Sequence, residues 1–133
     1  MPARRSPDME HRVDLEEGGI LHIRVRGTLS PEDVTQIAAR MREAFSGGDQ
    51  RLVLMDQREA EPRFSREARK AIQREAPELV WDRGGLYGLT HFNRMISRVI
   101  VGLVGRSKET RFFDTEDEAR AWLRAGMAPR DPP

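Results

Sequence analysis

The residues able to carry acid–base or metal chemistry are few and widely spaced. The three histidines, His11, His22 and His91, include no pair at the i, i+4 spacing that sets two ligands on one helix face. The absence of cysteine removes a disulfide framework, a thiolate zinc site and a cysteine nucleophile together. Serine, histidine and aspartate all occur, but no G-x-S-x-G elbow presents a serine to them. Gly84-Gly85-Leu86-Tyr87-Gly88 does not follow the G-x-G-x-x-G order, and Gly102 to Lys108 (GLVGRSK) lacks the spacing of a phosphate-binding loop. The expectation is a chain that is not an enzyme, with no catalytic residue, cofactor or metal.

Binding is the chemistry that remains. Asp56 closes the apolar run Leu52-Val53-Leu54-Met55. The carboxyl ends of strands are where α/β sheets place their ligands, although a carboxylate there also caps backbone N–H groups in a turn. Tyr87 and His91 flank the end of a later apolar stretch. From Thr90 to Val104, Met95, Ile96, Val99, Ile100, Leu103 and Val104 form an apolar helix face, with Asn93, Arg94, Ser97 and Arg98 as a narrow polar strip. That face is wider than a lone surface helix requires, so it is either core or part of an interface or an apolar pocket. Arg94, Arg98, Arg106, Lys108 and Arg111 give it a basic edge. The candidate ligand or partner site is therefore Asp56, Tyr87, His91, Arg94, Ile96, Arg98 and Ile100.

The elements that must hold these residues follow from periodicity and punctuation. Val13 and Leu15, then Leu21, Ile23 and Val25, alternate with polar residues on either side of Gly18-Gly19. This predicts an antiparallel hairpin with one wet face, on which His22 lies. Ser30-Pro31-Glu32-Asp33 marks a helix start, Val34, Ile37, Ala38, Met41 and Phe45 supply its inner stripe, and Gly47-Gly48 ends it. Leu52–Met55 reads as a strand covered on both faces, followed by a polar loop from Gln57 to Arg63. Ser65 caps a second helix with Ala68, Ala71, Ile72 and Ala76 inside, stopped by Pro77. Asp82-Arg83-Gly84-Gly85 reads as a turn and Leu86 to Leu89 as another inner strand. After the helix at 90–104 come a short strand, Arg111-Phe112-Phe113, and a final helix. Its capping box is Thr115 with Glu118, its inner stripe is Ala119, Trp122 and Leu123, and it ends at Gly126. The order β-β-α-β-α-β-α-β-α predicts an α/β (α+β) fold: a mixed four- to five-stranded sheet with an opening antiparallel hairpin and about four packed helices.

A chain of 133 residues suits one domain, here residues 11–126. Residues 1–10 carry Pro2 and Pro7, and residues 127–133 carry Pro129, Pro132 and Pro133, so both read as disordered tails. Formal net charge is +1, which gives no field suited to nucleic acid. With no signal-like apolar segment and nothing near the roughly 18 apolar residues of a membrane span, the expected location is cytoplasmic.

The closing segment RFFDTEDEARAWLRAG resembles the end of SpoIIAA-like proteins, relatives of the STAS domain (sulphate transporter and anti-sigma factor antagonist). Their last strand and helix read as a phenylalanine pair, an acidic turn and an Ala-x-x-Trp-Leu helix. ILHIRVRGTLSPEDV is similar to the family's second strand running through G-x-L-(S/T)-x-E into the first helix, and LVLMD to its central strand. The similarity in order and spacing covers roughly residues 11–125 and implies a mixed sheet with helices, used for regulatory protein contacts. In the anti-sigma antagonists a serine after the central aspartate is phosphorylated by a partner kinase. Here Asp56 matches that aspartate, but QREAEPRF holds no hydroxyl residue, and the first, Ser65, sits at a helix cap. The resemblance thus implies a non-catalytic protein-interaction module without that serine. Its partner is another protein or a second copy in a homodimer, met through residues 90–104. The alternative is a domain that takes a small apolar ligand or lipid between that helix and the sheet.

Overall fold

The computed structural model describes residues 11–47 and 50–127; the tails expected at 1–10 and beyond residue 127 lie outside the described residues. Strands β1 (Arg12–Leu15) and β2 (Ile20–Gly27) form the opening hairpin, with Arg12 opposite Arg24 and Leu15 opposite Leu21. Its turn uses Gly18 and Gly19 at φ of +97° and +91°, a conformation that residues with a Cβ rarely adopt. Helix α1 (Pro31–Phe45) starts on a reciprocal cap. The Ser30 hydroxyl accepts the Asp33 N–H at 3.0 Å and the Asp33 carboxylate accepts the Ser30 N–H at 3.1 Å. Burying Val34, Ile37, Met41 and Phe45 on one face stabilises this packing by about 1.5–3 kcal/mol per side chain. His11 is a structural joint: its Nδ1 accepts the Arg26 N–H at 2.9 Å, which leaves Nε2–H to donate to Thr28 O and Asp33 Oδ2, each at 3.2 Å.

Strand β3 (Leu52–Ala60) lies parallel to β2, α2 (Arg66–Glu75) follows its Ser65 cap, and β4 (Arg83–Tyr87), α3 (His91–Leu103), β5 (Thr110–Phe113) and α4 (Glu116–Ala125) complete the chain. The sheet has five strands in the order β1-β2-β3-β4-β5, with every pair after the first parallel. Right-handed crossovers between neighbouring parallel strands put α1, α2 and α3 on one face. Leu21, Ile23, Val25 and Val53 pack there with α1 and α2. After the last strand the chain folds back, so α4 covers the other face, packing Ala119 and Leu123 on Ile20, Leu52, Leu54 and Tyr87. Met127, expected in the tail, packs against this second core. No helix among the described residues is long and apolar enough to cross a membrane.

Three differences from the periodicity bear on the candidate site. Residues 57–60, expected in a loop, continue β3. The strand bulges there, Asp56 pairing with Arg24 but Glu59 with Arg26, and β4 has already ended at Tyr87 opposite Asp56. This extension therefore pairs with β2 alone; Arg58 and Glu59 are exposed, while Gln57 is buried. Gly84 and Gly85, expected in a turn, lie inside β4. A Cβ at Gly84 would stand 2.6 Å from the Trp81 indole nitrogen, so Gly84 is a close-approach glycine, whereas one at Gly85 would meet Ala119 and Phe113 at an ordinary 3.5 Å. Third, His22, expected on a wet face, is 2 % exposed, because α4 covers that surface.

Candidate functional site

The candidate residues fall into two groups on opposite faces of the sheet. Asp56 and Tyr87 occupy one rung beneath α4. The Asp56 Oδ1 accepts the Arg58 backbone N–H at 3.0 Å and Nε–H at 3.1 Å, while Oδ2 accepts Nη2–H at 2.8 Å. Burial raises the Asp56 pKa, but these bonds outweigh it and hold the carboxyl below its ordinary value. The carboxylate thus serves the bulge and binds its own guanidinium. Arg58 also lies over the Tyr87 ring at 5.3 Å. The Tyr87 hydroxyl is buried with no hydrogen-bond partner. Burial, and then the charges of Asp56 and Glu116, push its pKa upward.

Beside this rung is a network that no sequence motif announced. Arg120 of α4 makes a bidentate pair with Glu16, both bonds at 2.9 Å, and donates to Glu116 at 2.8 Å. His22 Nδ1 lies 2.9 Å from Glu16 Oε2 and donates to it; Nε2 is buried without a partner. The Arg120 hydrogen bonds are the largest of the effects that take the Glu16 carboxyl down to about 2. The only signal in the sequence was Glu116 and Arg120 one turn apart, ordinary on any helix. A polar cleft of about 110 Å³ opens here, lined by His22, Arg24, Arg26, Asp56, Arg58 and Glu116 among others. Its charges largely neutralise one another: Asp56 with Arg58, Glu116 with Arg120, and Glu59 with Arg26 at 3.3 Å. No group of three or more histidine, aspartate or glutamate side chains among the described residues could hold a metal.

His91, Arg94, Ile96, Arg98 and Ile100 all lie on α3, in the opposite layer. The start of this helix is fastened. Thr90 Oγ1 accepts the Asn93 N–H at 3.1 Å and donates to Pro62 O at 2.7 Å. The buried Asn93 side chain accepts the Phe64 N–H and donates to Glu61 O, both at 2.9 Å. Farther along, the backbone of α3 runs beside α2 and the 3₁₀ turn Ser107–Glu109. Beneath it is a cavity of about 130 Å³. Ile96, Ser97, Ile100, Val101 and Val104 form its roof, and Ile23, Val25, Met55, Gln57 and Leu86 of the sheet form its floor.

The wide apolar face of α3 is thus two faces. Ile100 is buried and Ile96 half-buried over the cavity, while Met95, Val99 and Leu103 are 55, 54 and 70 % exposed along the outside. Spacings of four residues put these three in one stripe. The guanidiniums of Arg94 and Arg98 lie 5.8 and 5.5 Å from the Phe112 ring, and His91 is exposed at the first turn.

Comparison with known proteins agrees with this architecture. The family profile described as SpoIIAA-like matches residues 20–124. An uncharacterized protein of the DUF3478 family with a SpoIIAA-like fold, from Shewanella loihica PV-4, is similar with a TM-score of 0.68 and 20% identity over 91% of this chain and 99% of its own. The anti-sigma factor antagonist SpoIIAA in its unphosphorylated form is similar with a TM-score of 0.60 and 18% identity over 86% of this chain and 97% of its own. No curated protein matches the sequence.

Proposed function

This chain belongs to the SpoIIAA-like family, and on that premise we propose that it is a non-catalytic regulatory interaction module that docks through the outer face of α3. The observation that carries the reading is the stripe Met95, Val99 and Leu103, exposed side by side on one helix although each costs free energy in water. The occupant of this face is a second copy of the chain. A serine phosphoswitch is not part of the proposal. After Asp56 the chain runs on as β3 without a hydroxyl residue, and the exposed Ser65 Oγ accepts the Ala68 N–H at 3.0 Å as the cap of α2. Light scattering over a concentration series tests the docking face. The wild type is expected to form a dimer that the double substitution Val99→Glu, Leu103→Glu dissolves while the thermal melt is retained. A wild type that stays monomeric throughout refutes self-association by this face.

A second reading is favoured by a separate observation, the cavity under α3. Its lining is almost wholly apolar, and ligand pockets are concave sites lined mainly by apolar side chains with a few placed polar groups. In this reading the chain binds a small apolar ligand between α3 and the sheet. Native mass spectrometry of the purified protein, with thermal shifts on adding small hydrocarbons, checks it. No retained mass and no shift with any of them counts against it.

A further inference from the structure

The cavity under α3 contains one polar feature that packing does not explain. Gln57 lies on the floor, 7 % exposed, and its Oε1 is buried without a hydrogen-bond partner. Leaving a buried acceptor unpaired costs about 1–3 kcal/mol, and a leucine at this position would avoid the cost. The other polar groups of the lining are committed elsewhere. Trp81 Nε1 donates to Thr110 Oγ1 at 3.1 Å, and Glu75 is paired with Arg42 at 3.2 Å. Ser97, on the roof, supplies the only other uncommitted side-chain polar group. Strand alternation sets the Gln57 amide here: Met55 lines the cavity, Asp56 lies beside Tyr87 on the other face, and Gln57 returns to the cavity before the bulge puts both Arg58 and Glu59 on the far side.

We infer that the cavity is a site for a small neutral molecule with an apolar body and one hydrogen-bond donor, a hydroxyl or N–H, which Gln57 Oε1 accepts. The inference rests on the apolar-ligand reading above and adds its specificity. The body is limited by the volume of about 130 Å³, close to that of engineered cavities that hold benzene. The head is a donor because the unpaired group is a carbonyl oxygen. An ionised carboxylate is disfavoured, since it would bring negative charge to that oxygen in a site with no cation left unpaired to receive it. Discrimination should be strong: a site with a buried polar group rejects the analogue that cannot pair with it.

Phenol and toluene differ by hydroxyl against methyl on the same ring, which makes them the probes. Titration calorimetry and thermal shift are read for both on the wild type and on Gln57→Leu. The wild type is expected to bind phenol at least tenfold more tightly than toluene. Gln57→Leu is expected to lose that preference while keeping toluene affinity, and to melt higher when empty because no unpaired group remains. Equal affinities in the wild type, or a preference that survives Gln57→Leu, overturns the role of Gln57 and leaves the apolar-ligand reading standing. Binding of neither probe overturns both. If Gln57→Leu fails to fold, the Gln57 side-chain amide resonances of the wild type decide: a shift with phenol but not with toluene supports the contact, and none overturns it.

Discussion

Glu16 shows how a residue without a motif can become an organising charge. It holds Arg120 through two 2.9 Å bonds and receives His22 at 2.9 Å, joining the first hairpin to the last helix. Its carboxyl is displaced from 4.5 to about 2, first by the Arg120 bonds. Because the folded pKa is depressed, the contribution to stability is complete above pH 4.5 and is lost as pH falls toward 2. The side chain is 28 % exposed, so solvent screening reduces that contribution to on the order of 1–2 kcal/mol. Glu16→Gln is expected to lose this amount at pH 7 and to decline less steeply than the wild type between pH 4.5 and 2, measured by urea unfolding across that range. Parallel curves would show that the pair contributes nothing. In the sequence, Asp56 was legible because an apolar run ended on it, and the Asp56–Arg58 bonds account for its carboxylate. His22 was misplaced because strand alternation gives side-chain facing but not coverage, and its cover comes from a residue 98 positions away.

Among the elements, legibility followed how local the determinants were. Helices α1, α2 and α4 have their caps at Ser30, Ser65 and Thr115, because a cap is written within one turn of sequence. The start of β4 was missed for the opposite reason. Gly84-Gly85 signals a turn by local preference, and only the folded placement of the Trp81 indole explains why Gly84 can carry no Cβ inside the strand. The end of β3 was missed because a bulge has no composition of its own. Its support is tertiary: Gly88, at φ +81°, passes so close to Arg58 that a Cβ would stand 2.9 Å from the Arg58 nitrogen. Asp56, Tyr87 and the residues of 90–104 thus lie on two strands and a helix, as their periodicity predicts, whereas Gln57, expected in a loop, lies in β3.

At the scale of the molecule the two faces of the sheet are built differently. Under α4 the packing is closed, with Ala119, Leu123 and Tyr87 fully buried. Under α3 there is a cavity, and the helix is held mainly at its first turn by Thr90 and Asn93. Elements with few buried contacts open at lower free energy than the core to which they are attached, so α3 should behave as a separate cooperative unit above a stable sheet. Asn93→Ala tests the division, because it removes the acceptor of the buried Phe64 N–H and the donor to Glu61 O without touching the sheet. The substitution is expected to destabilise the attachment by about 1–3 kcal/mol. Amide exchange in residues 94–103 should then accelerate by roughly tenfold or more, while β3 and β4 change much less. Equal acceleration in α3 and the central strands would show instead that α3 unfolds only with the whole domain, and that the cavity is closed by a roof as firm as its floor.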